Sequence, residues 1–207
     1  MARPISSASD SRILLVEGQD DEYVVSRLLE RHKSALPFSI LNKKTISRLL
    51  PAISIEIKAS DRQAVGILVD ADDDIAARWD AVRGQLSKAG ISPPPSPDSA
   101  GTIIDGTPRI GIWLMPDNES LGEFENFVVR MIPGGDQVWP LSQRYIEEIP
   151  EAQRKFSAKK KLRAQLYAWL AAREDPRQMG LAIRARDLEV DGELSNTFVA
   201  WLTKLFG

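Results

Sequence analysis

The sequence predicts an α/β fold, with a mainly parallel sheet, helices on both faces and a helical C-terminal extension. Three observations carry this. The runs Ile13–Val16, Ala64–Val69 and Ile110–Met115 are apolar without polar alternation, as strands covered on both faces are. Each run ends in acidic or polar residues. Each is followed by a stretch whose apolar residues recur at helical spacing. Strand–helix units of this kind build a parallel sheet through right-handed crossovers. The carboxyl ends of the strands then share one edge, where such sheets bind ligands.

In chain order, residues 1–11 are small and polar and predict a loose arm. Ile13–Val16 is the first strand. The helix after it runs from about Asp20 to His32, with Val24, Val25, Leu28 and Leu29 on one stripe. Ile46, Leu49 and Leu50 suggest a short helix ended by Pro51, and the alternation from Ile53 to Ser60 reads as a strand. Ala64–Asp74 is a second apolar run ending in acids, and Ile75–Lys88 is its helix. Ile91–Thr102 is rich in proline and predicts a loop. Ile110–Asn118 is a third strand with a polar end, before a helix from about Leu121 to Met131. These elements form a core of about 12–133. From Leu141 to Gly207 the pattern is helical, with Leu162, Leu166, Trp169 and Leu170 on one stripe and Leu194, Phe198, Trp201, Leu202 and Leu205 on another. Both stripes predict packing on the sheet, within a single domain of 207 residues. Trp113, Trp139, Trp169 and Trp201 fall in the predicted core, while Trp79 suits either core or base stacking.

Composition removes several kinds of chemistry. The chain has no cysteine, which excludes disulfides, thiolate nucleophiles and cysteine zinc sites. That usage suits a reducing cytoplasm. His32 is the only histidine, which argues against Ser-His-Asp catalysis, and its place at a helix end suits a dipole role. The first residues lack the apolar stretch of a signal peptide, and no later segment is long enough to span a bilayer. A net charge of −2 gives no global pull toward nucleic acid, so any polyanion must meet a local basic patch. The glycine loop GxxxxGK[ST] is absent, which disfavours phosphoryl transfer from a nucleotide.

The acids at the strand ends are the chemical signal. Glu17 ends the first run, Asp70 and Asp72 end the second, and Asp117 follows the third. Residues two apart on a strand leave on one side, roughly 6–7 Å apart. Like charges gathered in a partly dry cleft repel, and a divalent cation removes the conflict. Oxygen-only ligands point to Mg²⁺ or Mn²⁺. Such an ion can polarise a phosphodiester and activate water, which suits a chain without cysteine. Other acids have simpler readings. Asp20 and Asp74 are placed to cap the first and second helices. Ser120 with Glu123 matches a capping box.

VEGQDD followed by VDADDD resembles the two signatures of the Toprim domain, found in topoisomerases, bacterial primases, small maturation ribonucleases and nucleases of the overcoming-lysogenization-defect type. GIWLMPDN, GEFENFV, WLAAREDP, MGLAI and FVAWLTKLF extend the likeness across nearly the whole chain, to small stand-alone bacterial Toprim proteins of unknown function. The resemblance implies a Toprim-like sheet and a Mg²⁺- or Mn²⁺-dependent nuclease. Glu17 would act as general base, general acid or metal ligand. Asp70 and Asp72 would hold the ion. Asp21 and Glu125 would complete a second metal position, with Glu123 the fallback for Glu125 and Asp74 a further candidate ligand. Topoisomerase and primase companion modules are missing, so strand passage and primer synthesis are not expected. A second reading is a Toprim subunit that acts only beside a separately encoded ATPase.

The run RKFSAKKKLR, Arg154–Arg163, is the densest basic stretch. Lys159, Lys160, Lys161 and Arg163 are candidate phosphate contacts for DNA or RNA, or else a solvated helix face. Lys58, at the end of the strand expected from Ile53, is a separate candidate for stabilising transition-state charge.

Overall fold

The computed structural model describes residues 11–207; the arm expected over 1–11 lies, but for Ser11, outside the described residues. Five strands form one sheet: β1 (Arg12–Val16), β2 (Ser39–Asn42), β3 (Ala64–Asp70), β4 (Thr102–Ile104) and β5 (Arg109–Met115). Their order is β2-β1-β3-β5-β4. All neighbours are parallel except the edge pair β4–β5. Among the described residues, eight α-helices accompany them: α1 (Gln19–Arg31), α2 (Ile46–Ile57), α3 (Ile75–Lys88), α4 (Phe124–Val129), α5 (Val138–Glu148), α6 (Lys161–Ala171), α7 (Met179–Ala185) and α8 (Glu193–Phe206). The protein is therefore an α/β fold, as the three apolar runs predict.

The runs are unbroken because both faces of the central strands are buried. Ile13, Leu15, Val65, Ile67, Ile110 and Ile112 pack with Leu49, Ile53, Ile57, Trp79, Val82 and Leu86 of α2 and α3. Leu14, Val16, Leu68 and Trp113 pack on the other face with apolar residues of α1, α4, α6, α7 and α8. The C-terminal helices thus share one core with the sheet. Phe198 and Trp201 of α8 lie against Trp113, with ring centroids 5.0 and 5.6 Å away.

The closeness of α8 depends on a glycine pair. Gly66 and Gly111 face each other across β3–β5. A Cβ on Gly66 would lie 2.6 Å from Leu14 Cδ1, and one on Gly111 would lie 2.4 Å from Leu205 Cδ2. The C-terminal carbonyls of α8 are met by guanidinium groups from the sheet. Arg12 Nη1 donates to Phe206 O at 2.7 Å, and Arg109 Nη1 donates to Lys204 O at 3.1 Å. Cations at a helix C-terminus also oppose its negative dipole end.

Several local expectations are corrected. The expected strand over Ile53–Ser60 is the second half of α2, which continues through Pro51. Pro51 and Ser47 are exposed, so the carbonyl that Pro51 leaves without a donor meets water. The edge strands β2 and β4, four and three residues long, were not foreseen. The N-cap of α1 is Gly18 instead of Asp20, and its amide donates to Asp21 Oδ2 at 2.7 Å. The capping box of α4 pairs Glu123 with Asn126, not with Ser120. Asp74 caps α3 as expected, accepting from Ala77 N at 2.9 Å. The proline-rich stretch is a loop, and Pro95 O accepts from Trp79 Nε1 at 3.2 Å, so Trp79 is a core residue.

Candidate metal centre

The chain passes from β1 to β2 on one side and to β3 on the other, so the strand order reverses between β1 and β3. At the carboxyl end of that seam lies a cleft of about 410 Å³, lined by acids from four places in the chain. Glu17 follows β1, Asp20 and Asp21 sit in the first turn of α1, Asp70 ends β3, and Glu123 and Glu125 open α4.

Glu17 is fixed by backbone. Its Oε1 accepts from the amide of Asp70 at 3.2 Å. Asp21 turns back over the helix start to the Gly18 amide. Glu123 and Glu125 are brought in by a two-way bridge between loops: Asp72 N donates to Gly122 O at 2.8 Å, and Gly122 N donates to Asp72 O at 2.9 Å. Gly122 adopts φ +142°, and a Cβ there would lie 2.6 Å from Asn126 Oδ1. The turn into α4 therefore needs glycine.

The electrostatics of this floor are unfavourable. Burial pushes the Asp70 carboxyl well above its usual range, and repulsion from Glu17, Asp21 and Glu125 adds to it. Burial likewise raises Asp21 to about 7, opposed by the Gly18 amide and reinforced by Glu17. Glu17 is raised by burial, against the Asp70 amide and the charge of Arg78. A divalent cation suits this donor chemistry: oxygen only and partly dry, with six acids lining the cleft against Lys44, Lys160 and Arg163. The donor set fits such an ion in kind. Among the described residues, no group of three or more His, Asp or Glu side chains is already arranged to hold one.

The remaining acids, Asp74 apart, already have cations. Asp72, expected beside Asp70 on the ion, does not line this cleft. Its backbone is left-handed, with φ +56°. Its carboxylate takes Arg78 on one oxygen and Lys159, at 2.6 Å, on the other. Those partners outweigh burial and lower its pKa. Asp74 lies outside the cleft as the α3 cap. Glu123 has Lys159 at 3.9 Å and Lys160 at 3.5 Å. Glu125 is 3% exposed and accepts from Arg163 Nη1 at 2.5 Å. Arg163 Nη2 also donates to Asp20 Oδ2 at 2.6 Å, where the Tyr167 hydroxyl donates at 3.0 Å. Asp117 stays in its own turn with Ser120 and Arg130, which overcome its burial and lower its pKa to about 2.

The basic run divides by geometry. Lys159, Lys160 and Arg163 reach the acids, whereas Lys161 pairs with Glu147 of α5 at 2.9 Å. Arg154 donates to the Ile149 and Glu147 carbonyls at the end of α5. The placement of Lys58 at a strand end is corrected. The residue is the C-cap of α2, in the turn leading to the amino end of β3, and does not line the cleft. His32 does close α1, and its Nε2 lies 3.0 Å from Val190 O. Lys44, Tyr167 and Gln178 line the cleft without having been foreseen. Only Tyr167 carried a sequence signal, four residues after Arg163 on one helix face.

The sequence model of a family described as a protein of unknown function, DUF3226, matches residues 11–207. The chain belongs to the DUF3226 family. No curated protein and no solved structure matches it. In this DUF3226 chain, no helix among the described residues is long and apolar enough to cross a membrane.

Proposed function

We propose that this chain is a Toprim-type nuclease that cleaves phosphodiester bonds of nucleic acid with Mg²⁺ or Mn²⁺. One observation carries the reading: Glu17, Asp21, Asp70 and Glu125, from three distant stretches of chain, line one cleft at the sheet's reversal point. Buried carboxylates repel unless a cation joins them, and Arg163 reaches only Glu125 of these four. Glu17, Asp21 and Asp70 would hold the ion. Glu125, with Asp72 once released from its partners, would serve a second position. A divalent ion there supplies charge stabilisation at phosphoryl oxygens and acidifies water.

The chain's own residues provide the rest. Glu17, whose pKa burial raises, would accept a proton where it is not itself on the ion. Lys160 and Arg163 at the cleft wall supply phosphate contacts that need charge and reach, not base recognition. The absence of cysteine is in keeping with action in a reducing cytoplasm. Purified protein incubated with DNA or RNA and Mg²⁺ or Mn²⁺ should cleave, and Glu17→Gln and Asp70→Asn should each abolish cleavage. Cleavage that survives both substitutions contradicts the assignment.

A second reading is a subunit that binds metal and nucleic acid but acts only beside a separately encoded ATPase. It is favoured by the cations already seated on Asp72, Glu123 and Glu125, which a partner would have to move. Multiple turnover by the isolated chain eliminates it.

A further inference from the structure

Seven consecutive residues, Ser157–Arg163, supply three of the cations that neutralise the acids around the cleft. Lys159 lies 2.6 Å from Asp72 and 3.9 Å from Glu123, and Lys160 lies 3.5 Å from Glu123. Arg163 bridges Glu125 and Asp20 at 2.5 and 2.6 Å. These contacts join the segment to residues far away in sequence, with Lys159 and Asp72 87 positions apart. The side chains of Lys159 and Lys160 are 49% and 53% exposed, so their ammonium groups can swing without unfolding α6. Arg163 is held at two acids and by the Tyr167 ring, 5.2 Å from its guanidinium carbon.

We propose that Lys159 and Lys160 are exchangeable counter-ions, which nucleic-acid phosphate draws off Asp72 and Glu123 so that polyanion and divalent cation bind cooperatively. The inference rests on the nuclease reading and adds how metal and substrate binding are coupled. A lysine ammonium and a divalent ion compete for the same carboxylate oxygens, and each excludes the other by repulsion. A phosphate oxygen offers the lysines an equally charged acceptor in water. The exchange frees Glu123 in the cleft and one Asp72 oxygen beside it, Arg78 keeping the other, and moves two positive charges from the metal's surroundings to the substrate backbone. Linkage makes the effect reciprocal: whatever factor the polyanion adds to metal affinity, the metal adds to polyanion affinity. Lys159 and Lys160 thereby become positioning residues for metal and substrate together.

Mn²⁺ binding to the full chain, followed by the paramagnetic resonance of free Mn²⁺ at fixed ionic strength, tests this. It is measured with and without a phosphorothioate oligonucleotide and corrected for Mn²⁺ held by the oligonucleotide alone. The wild type should bind Mn²⁺ roughly tenfold more tightly when the oligonucleotide is present. Lys159→Gln with Lys160→Gln should bind Mn²⁺ more tightly than wild type without oligonucleotide and gain less than about twofold from adding it. Both substitutions lie in an exposed turn, and an unchanged circular dichroism spectrum confirms folding. Mn²⁺ binding insensitive to oligonucleotide in the wild type, or equally sensitive in the variant, overturns the coupling alone. No Mn²⁺ binding in any arm overturns it together with the nuclease reading.

Discussion

The Glu17 carboxylate accepts the amide of Asp70 at 3.2 Å, extending the β1–β3 ladder with a side chain while the residue lines the acidic cleft. Glutamine retains that acceptor and removes the charge. Glu17→Gln should therefore keep or raise metal-free thermal stability. It should weaken Mn²⁺ binding by no less than the roughly 10–100-fold that outer-shell partners of a metal command. Glu17→Ala also loses the bond, at a cost of about 1 kcal/mol. Calorimetric melting of the three proteins, with and without Mn²⁺, checks the order. A glutamine variant less stable than the alanine one would break it.

Asp21 gives the folded protein an unusual pH response. Its carboxyl is raised by burial from 3.8 in the unfolded chain to about 7. Between those values the native state binds the extra proton. The stability that proton confers is complete below about pH 4 and lost as pH rises through about 7. Glu17 and Asp70 are raised in the same direction. Urea unfolding of metal-free protein should show stability falling from pH 4 to pH 8 by on the order of 3 kcal/mol. Asp21→Asn should flatten much of the slope. Saturating Mn²⁺ should reverse it above pH 6. A metal-free stability that rises across this range contradicts the electrostatics.

Gly66 is needed for packing. A Cβ there meets Leu14 at 2.6 Å, Phe206 at 3.0 Å and Leu205 at 3.1 Å, three side chains with no free space between sheet and α8. Gly66→Val should destabilise by about 1–3 kcal/mol despite valine's preference for strands. Gly84, where a Cβ meets nothing within 4 Å, is the control. Gly84→Ala on α3 should stabilise by a few tenths to about 1 kcal/mol. Chemical denaturation of both variants measures the contrast.

The pair of Arg163 and Glu125 has one buried and one half-exposed partner, with side chains 4% and 40% accessible for Glu125 and Arg163. Removing the arginine leaves a buried carboxylate beside other acids. Arg163→Ala should cost about 2–4 kcal/mol in metal-free protein, and Glu125→Ala in the same background should recover part of it. Mn²⁺ should stabilise Arg163→Ala more than wild type, since the ion takes over the arginine's charge. Melting temperatures of the double-mutant cycle with and without Mn²⁺ decide it.

Much of the sheet was legible because burial on two faces leaves an unmistakable trace. Ile13–Val16, Ala64–Val69 and Ile110–Met115 all became strands, and α3 spans Ile75–Lys88 as its spacing predicts. The second half of helix α2 was hidden by a coincidence of periods. Ile53, Ile55 and Ile57 alternate like a strand, yet Leu49, Ile53 and Ile57 are the buried set, at four-residue spacing, and Ile55 is 69% exposed. Strands β2 and β4, four and three residues long at the sheet edges, are too short to show a pattern. Glu17 and Asp70 were found because they interrupt apolar runs. The pairing of Asp72 with Lys159 was not, because local spacing says nothing about residues that only the complete fold brings together.

The most direct test is an anomalous-scattering map from crystals soaked in Mn²⁺. A peak is expected within coordinating distance of the Glu17 and Asp70 carboxylates, with Asp21 drawn toward it. A fully soaked crystal with no peak in this cleft, or with Mn²⁺ bound elsewhere while Glu17 still faces an empty floor, contradicts the metal-centre assignment.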